Sequence, residues 1–173
     1  GCLTFYETIL DNISIAAKNM FCEDSVNFVR SSGNVRNIEI INSKFDSLDL
    51  DFSDLDIGRI EINGSGNDCL DLSYGNYKIK NFKALDCLDK ALSIGEKSNV
   101  SIKLIYIENS KFGIVVKDSS TAKIENYSGE NIMSCHNLYR KKPEFGPAYL
   151  RVSLNNCISK ENNFVQNGSD YEN

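Results

Sequence analysis

Carboxylates recur at one interval in this chain. Asp49 and Asp71 stand 22 residues apart, as do Asp46 and Asp68, and Lys90 follows Asp68 by another 22; Asp51 lies two residues beyond Asp49. If that interval is one turn of a stacked coil, these carboxylates lie about 5 Å apart and repel unless a cation or a shared proton relieves them. Asp oxygens are also the hard ligands that Ca2+ takes. A second group, Tyr139, Arg140, Lys141, Lys142 and Phe145, offers aromatic faces that stack on sugar rings and basic groups that meet uronate or sulfate. The single histidine, His136, stands apart from both groups.

The interval is carried by the apolar residues. Steps of 22 lead from Val26 through Leu48, Leu70, Leu92 and Ile114 to His136 and Ile158, and from Phe28 through Leu50, Leu72, Ile94 and Val116 to Leu138. A column of small residues runs Ser25, Ser47, Cys69, Ala91, Gly113, Cys135 and Cys157. A third apolar column runs Ile38, Ile60, Phe82, Ile105, Tyr127 and Tyr149, with one residue inserted before Ile105, and Val35, Ile57 and Ile79 begin another. Short segments alternating at period 2 are strand signals. Three of them per repeat, separated by Gly, Asn, Asp or Ser, make a coil whose inner face is buried only by stacking on its neighbours. The fold class expected is all-β: a right-handed single-stranded parallel β-helix of about seven rungs, a rod about 30 Å long. Leu3, Phe5, Leu10, Ile13 and Ile15 suggest one longer N-terminal rung.

The succession NDCLDLSYGNYKIKNF, DKALSIGEKSNVSIKLIYIENS and KFGIVVKDSSTAKIENYSGENI resembles the rungs of right-handed parallel β-helix proteins, the pectate-lyase-like superfamily. The resemblance runs well from about residue 26 to 131. It implies architecture more than activity, because this superfold hosts lyases, hydrolases, epimerases, tailspikes and non-catalytic surface modules. In the lyases, Asp residues on the outward strand face hold Ca2+ that bridges to a uronate, and a nearby Lys or Arg abstracts the α proton. By that resemblance Asp49, Asp51, Asp68 and Asp71 are candidate Ca2+ ligands and Lys90 the candidate catalytic base.

A plainer reading competes. Asp, Asn and Ser suit β-helix turns because their side chains bond neighbouring amides, and Lys90 above Asp68 is what an inter-rung salt bridge looks like. Outward Glu39, Glu61, Lys83 and Tyr106 make another ladder, with Glu61 facing Lys83. The Asp-Asp step, Gly-His-Gly and Arg-x-Lys of the resembled polygalacturonases are missing, and no nucleophile elbow, P-loop or dinucleotide fingerprint occurs. His136, in the column of Leu92 and Ile114, is expected to point inward.

The six cysteines show no metal-ligand spacing. A chain of 173 residues can bury a core without staples, so they are expected to be free and to serve as small hydrophobes. Tyr139 to Pro147 holds both prolines and is expected to be an irregular loop or end cap that replaces the middle strand of a rung, since His136 and Ile158 keep the 22-residue spacing. Residues 148–154 alternate like one more strand, and 167–173 read as a polar tail.

A net charge of −5 leaves no electrostatic reason for a nucleic-acid or anionic-membrane partner, and no apolar run reaches the roughly 18 residues of a spanning helix. The start, Gly-Cys-Leu, without a basic-then-apolar leader, is read as a piece cut from a longer protein with further domains. Abundant Ile and Asn, with Lys in excess of Arg, favour a bacterial source. The five Asn-x-Ser sequons, at Asn12, Asn63, Asn99, Asn126 and Asn167, carry little weight without a visible secretory signal. The function expected is a non-catalytic β-helix module of a surface or secreted protein, recognising polysaccharide or serving as scaffold. The alternative is a Ca2+-dependent polysaccharide lyase or related glycan-active enzyme.

Overall fold

The computed structural model describes all residues, 1–173. Every regular element is a strand: β1 (Leu3–Tyr6), β2 (Ile9–Met20), β3 (Asp24–Val29), β4 (Ser32–Ser43), β5 (Asp46–Asp51), β6 (Asp54–Ser65), β7 (Leu70–Ser73), β8 (Asn76–Gly95), β9 (Asn99–Lys117), β10 (Thr121–Tyr139), β11 (Tyr149–Ser159), β12 (Phe164–Val165) and β13 (Asp170–Glu172). All pairings are parallel, and each strand bonds to the one a full turn away. The chain is a parallel β-solenoid of about eight turns. Three faces result. The first is built of β1, β3, β5, β7, the C-terminal ends of β8, β9 and β10, and β12; the second and third share the remaining strands.

The expected columns are the observed register. Val26 pairs with Leu48, Leu48 with Leu70, Leu70 with Leu92, Leu92 with Ile114, and Ile114 with His136. Leu3 and Phe5 continue the columns below, on Val26 and Phe28. The columns from Val26 to Ile114, with Ile38, Ile60, Phe82, Ile105 and Tyr127 of the third face, form one buried apolar core along the axis, and Phe5 packs against its N-terminal end. At roughly 25 cal/mol per Å2 of apolar surface, such stacking is the main stabilising contribution.

The corners account for part of the Asn content. Asn19, Asn42, Gly64, Asp86, Asn109 and Asn131 all have positive φ at the turn from the third face to the first. Asn and Gly tolerate that left-handed region best. The Asn side chains also bond up the stack: Asn42 Nδ2 donates to Asn19 Oδ1 at 3.1 Å, and Asn109 Nδ2 to Asp86 Oδ1 at 2.9 Å.

The opposite corner, from the first face to the second, is held by hydroxyls. Thr8 N donates to Ser31 Oγ and Ser31 N to Ser53 Oγ. One turn on, Gly75 stands where that serine would be, and Ser53 N donates instead to the Tyr77 hydroxyl. A Cβ on Gly75 would sit 2.7 Å from that oxygen, so the glycine makes room for the tyrosine that replaces the missing serine.

Three expectations fail. The cysteines are not free: Cys2–Cys22, Cys69–Cys87 and Cys135–Cys157 are disulfides. The middle bridge occupies the place where, two turns earlier, Ser25 Oγ donates to Ser43 Oγ at 2.6 Å, so a corner that accepts two serines accepts a cystine. Second, the loop after Tyr139 adds length. Tyr149 pairs with Thr121, 28 residues back, where Thr121 pairs with Asn99, 22 back. Tyr127 therefore pairs with Asn155 rather than Tyr149, Asn137 pairs with Phe164, and Ile158 is 84% exposed instead of following His136 into the core. Third, the tail is not merely polar: β13 adds to β11, and the Tyr171 ring stacks on His136 at 3.9 Å.

Candidate functional site

Outward side chains on the second face, Asn34, Asp56, Lys78, Ser101, Lys123 and Arg151, are all exposed. On the first face the outward columns are sheltered instead. Asn27, Ser93, Val115, Lys117 and Asn137 are buried, and Asp49, Asp51, Asp71, Ser73 and Tyr139 are half-buried. Side chains from the two flanking corners rise beside them and turn this face into a walled trough. One wall carries Asp46, Asp68, Lys90 and Phe112; the other carries Phe52, Tyr74 and Glu96, with Phe145 and Lys142 leaning in from the loop.

Asp49, Asp51 and Asp71 come together on the floor, as their spacing implied. Burial, then the charges of Asp51 and Asp71, push Asp49 up to about 8. Burial also raises Asp51, opposed by the hydrogen bond from Asp49. Near neutral pH Asp49 is thus held in its protonated form, and Asn27 Nδ2 donates to Asp49 Oδ2 at 3.1 Å. Asp71 Oδ1 is buried without a partner. No three His, Asp or Glu side chains converge so as to hold a metal ion, so the carboxylates as placed do not fit Ca2+.

Asp68 and Lys90 belong to the wall. Lys90 Nζ donates to Asp68 Oδ1 at 3.1 Å and also to Asp89, with Lys111 3.7 Å beyond. Burial pushes Asp68 up to about 6, the Lys90 charge drawing it only partway back. Burial opposes the charge on Lys90, but its hydrogen bond to Asp89 and the Asp68 charge outweigh that, and its affinity for the proton rises. Lys90 is therefore a fixed cation, the reverse of a general base, which must give up its proton near neutral pH. The inter-rung salt bridge is the arrangement found, and the Glu61–Lys83 pair of the third face forms as well, at 3.2 Å.

The second candidate group is split. Tyr139 faces the far end of the trough, 6.5 Å from Phe164 between ring centres. Arg140 and Lys141 are exposed. Lys142 pairs with Glu96 at 2.7 Å, and Phe145 is buried beside Tyr74 with Lys97 above its ring. Asp118, fully buried, anchors this loop by accepting from the amides of Lys141 and Lys142 at 2.7 and 2.8 Å. His136 is buried, and desolvation pushes it down to about 4, so it is neutral at physiological pH.

Phe52 and Tyr74 had no place in the sequence reading. They are 22 residues apart at consecutive positive-φ corners, where bulky side chains are uncommon. Their rings stack at 4.5 Å with planes 7° apart, and the Arg30 guanidinium lies 5.8 Å from the Phe52 ring centre. The signal was present as a column, Arg30, Phe52, Tyr74 and Glu96, but its outward direction depends on the corner backbone. Comparison with protein-family models, with curated proteins and with solved structures gives no match for this chain.

Proposed function

We propose that this chain is a non-catalytic β-helix module that recognises glycan along the trough of its first face. The observation that carries the reading is the stacked Phe52–Tyr74 rim beside a sheltered floor of Asn, Asp and Ser. Sugar rings offer apolar faces to aromatic side chains and hydroxyls to polar ones, and the rim and floor present both in one strip. Three disulfides with no free cysteine suit an oxidising compartment, in keeping with a surface or secreted protein. The experiment is calorimetric titration with neutral and acidic oligosaccharides. Binding weakened at least tenfold by Phe52→Ala or Tyr74→Ala supports the reading. Cleavage of an added polysaccharide, lost in Asp71→Ala, refutes the non-catalytic part.

A second reading is favoured by one observation, the pairing of a carboxyl that stays neutral to about pH 8, Asp49, with the unpartnered Asp71 oxygen on the next turn. A protonated carboxyl and a second carboxyl on adjacent strands, about 4.8 Å apart, approach the spacing of the acid and the nucleophile in retaining glycoside hydrolysis, where the nucleophile forms a covalent glycosyl intermediate that water then releases. Release of reducing ends that is lost as pH rises through about 8, where Asp49 ionises, and disappears in Asp49→Asn, would replace the first reading with this one.

A further inference from the structure

Phe112, Val115, Asn137, Tyr139 and Phe164 line a cleft of about 240 Å3 at the C-terminal end of the trough. Its floor holds an unsatisfied group. Asn137 is 6% exposed; its Oδ1 accepts from Ser134 Oγ at 3.2 Å and from Phe164 N at 3.1 Å, but its Nδ2 has no partner. Since Oδ1 is fixed by the Phe164 amide, a donor, the orientation of the side chain is fixed too, and two N–H groups are left without an acceptor in a setting of aromatic rings. A buried donor left unpaired costs about 1–3 kcal/mol, which a ligand acceptor would recover.

We infer that this cleft is a subsite for the acetamido group of a neutral N-acetylated sugar, the group's carbonyl accepting from Asn137 Nδ2 and its methyl lying between Tyr139 and Phe164. This rests on the glycan-module reading and names the sugar chemistry at one end of the same trough. The geometry selects the group. A sugar ring sandwiched flat between two aromatic faces needs two contacts of roughly 3.5–4.0 Å, a separation of about 7–8 Å; Tyr139 and Phe164 are 6.5 Å apart and inclined at 51°. Rings at that inclination do not present the parallel faces that a flat sugar ring needs, whereas a methyl, small in every direction, fits the mouth of the wedge once one ring turns aside.

The hydrogen-bonding inventory points the same way. A hydroxyl would bring a donor as well as an acceptor, and Asn137 Oδ1 is already occupied twice. In a trans acetamido group the N–H points away from the carbonyl, so the carbonyl can supply the acceptor that Nδ2 lacks while the N–H stays toward solvent. Anionic sugars meet no cation in the cleft: none lines it, Lys90 and Lys111 are engaged by Asp68 and Asp89, and Lys117 Nζ, beside Tyr139, is turned back to Ser93 Oγ at 2.8 Å. Nδ2 is covered as the rings stand, so the ligand enters by turning one of them aside. Phe164, half exposed on the two-residue β12, is the freer of the two rings to turn.

The test is 15N-resolved NMR of the whole chain with N,N'-diacetylchitobiose and, in parallel, cellobiose. The expected result is that the acetylated disaccharide shifts the Asn137 side-chain amide and binds about tenfold or more tightly than cellobiose. Asn137→Asp keeps the acceptor that receives the Phe164 amide and removes the donor; Tyr139→Ala removes one side of the wedge. Each should weaken diacetylchitobiose about tenfold with the backbone spectrum preserved, whereas Phe52→Ala leaves the Asn137 shift in place. Equal binding of cellobiose at Asn137 overturns the acetamido assignment. Shifts confined to the Phe52–Tyr74 rim overturn the subsite and leave the glycan module standing. No shift with either sugar, while other oligosaccharides bind the trough, has the same meaning; no binding of any oligosaccharide removes both.

Discussion

Tyr77→Phe is a one-atom change whose cost follows from the corner geometry. The ring stays, so the buried apolar area is unchanged, and Tyr77 is 1% exposed with no slack around it. The hydroxyl donates to the Leu50 carbonyl at 2.8 Å and accepts from Ser53 N at 3.4 Å. Removing it orphans a buried backbone N–H, because Gly75 supplies no serine oxygen in its place. An unsatisfied buried donor costs about 1–3 kcal/mol, or about 2–12 °C in melting temperature for a domain of this size. Tyr127→Phe is the internal control. Its hydroxyl donates to the Cys135 carbonyl at 3.1 Å and accepts from no backbone amide, so its loss should cost only about 0.5–1.5 kcal/mol. Urea unfolding gives the two costs, and native-state hydrogen exchange at the Ser53 amide reads the specific bond. The Ser53 amide should lose protection in Tyr77→Phe and keep it in Tyr127→Phe. If Tyr77→Phe costs no more than Tyr127→Phe and Ser53 stays protected, the hydroxyl is not the surrogate for the missing serine.

Asp49 has a folded pKa near 8 against an unfolded value of 3.8, so the folded state holds the extra proton and stability falls as pH rises from about 4 to about 8. His136 acts oppositely between about 4 and 6.5, where the unfolded chain binds the proton that the folded one refuses. The Asp49 slope is therefore cleanest between pH 6.5 and 8 in urea titrations, and Asp49→Asn should flatten it; an unchanged slope would place the proton elsewhere. Opening Cys69–Cys87, which closes a loop of separation 18, should cost about 3 kcal/mol by loop entropy. Cys69→Ser/Cys87→Ser tests this by thermal unfolding, the serines reproducing the Ser25–Ser43 contact of the earlier turn. Asp118→Ala should release the loop after Tyr139, since two backbone bonds to a carboxylate worth about 1.5–3 kcal/mol each disappear; hydrogen exchange at Lys141 and Lys142 should quicken, and protection equal to wild type would mean that the loop is held by Phe145 alone.

Much of the solenoid was readable because stacking turns period into contact: Val26 predicts Leu48, and Leu48 predicts Leu70, without knowledge of any turn. The same logic misled at the end. His136 and Ile158 are 22 apart by accident of a six-residue insertion, and an apolar residue at the right spacing looks like a continued column. Of the four carboxylates offered for Ca2+, Asp49, Asp51 and Asp71 share one floor and Asp68 stands in the wall, and the raised pKa of Asp49 follows from how far the walls shelter that floor. Wall height is set by residues such as Phe52, Tyr74 and Phe112, whose outward direction follows from positive-φ corners that spacing does not encode. The disulfides were hidden for a related reason. Cys69 and Cys87 lie at the start of one face and the end of another, and only the corner brings them within 5.6 Å between Cα atoms. The Ser25–Ser43 pair, at the same separation of 18, was the clue.

The three cystines also bear on what happens when the rod is pulled from its ends. A solenoid under tension unspools turn by turn, each peeled coil releasing its full contour length, because a coil contacts only its neighbours. Here the first bridge lies at the N-terminal coil, the second in mid-rod and the third at the C-terminal coil, each withholding the 18 to 22 residues of its own loop. Peeling that starts at either end meets a covalent ring almost at once, and peeling that passes it is shortened by one coil and meets another at mid-length. The chain is thus built to yield in short, bounded steps, a property that would matter to a module anchored at one end and loaded at the other.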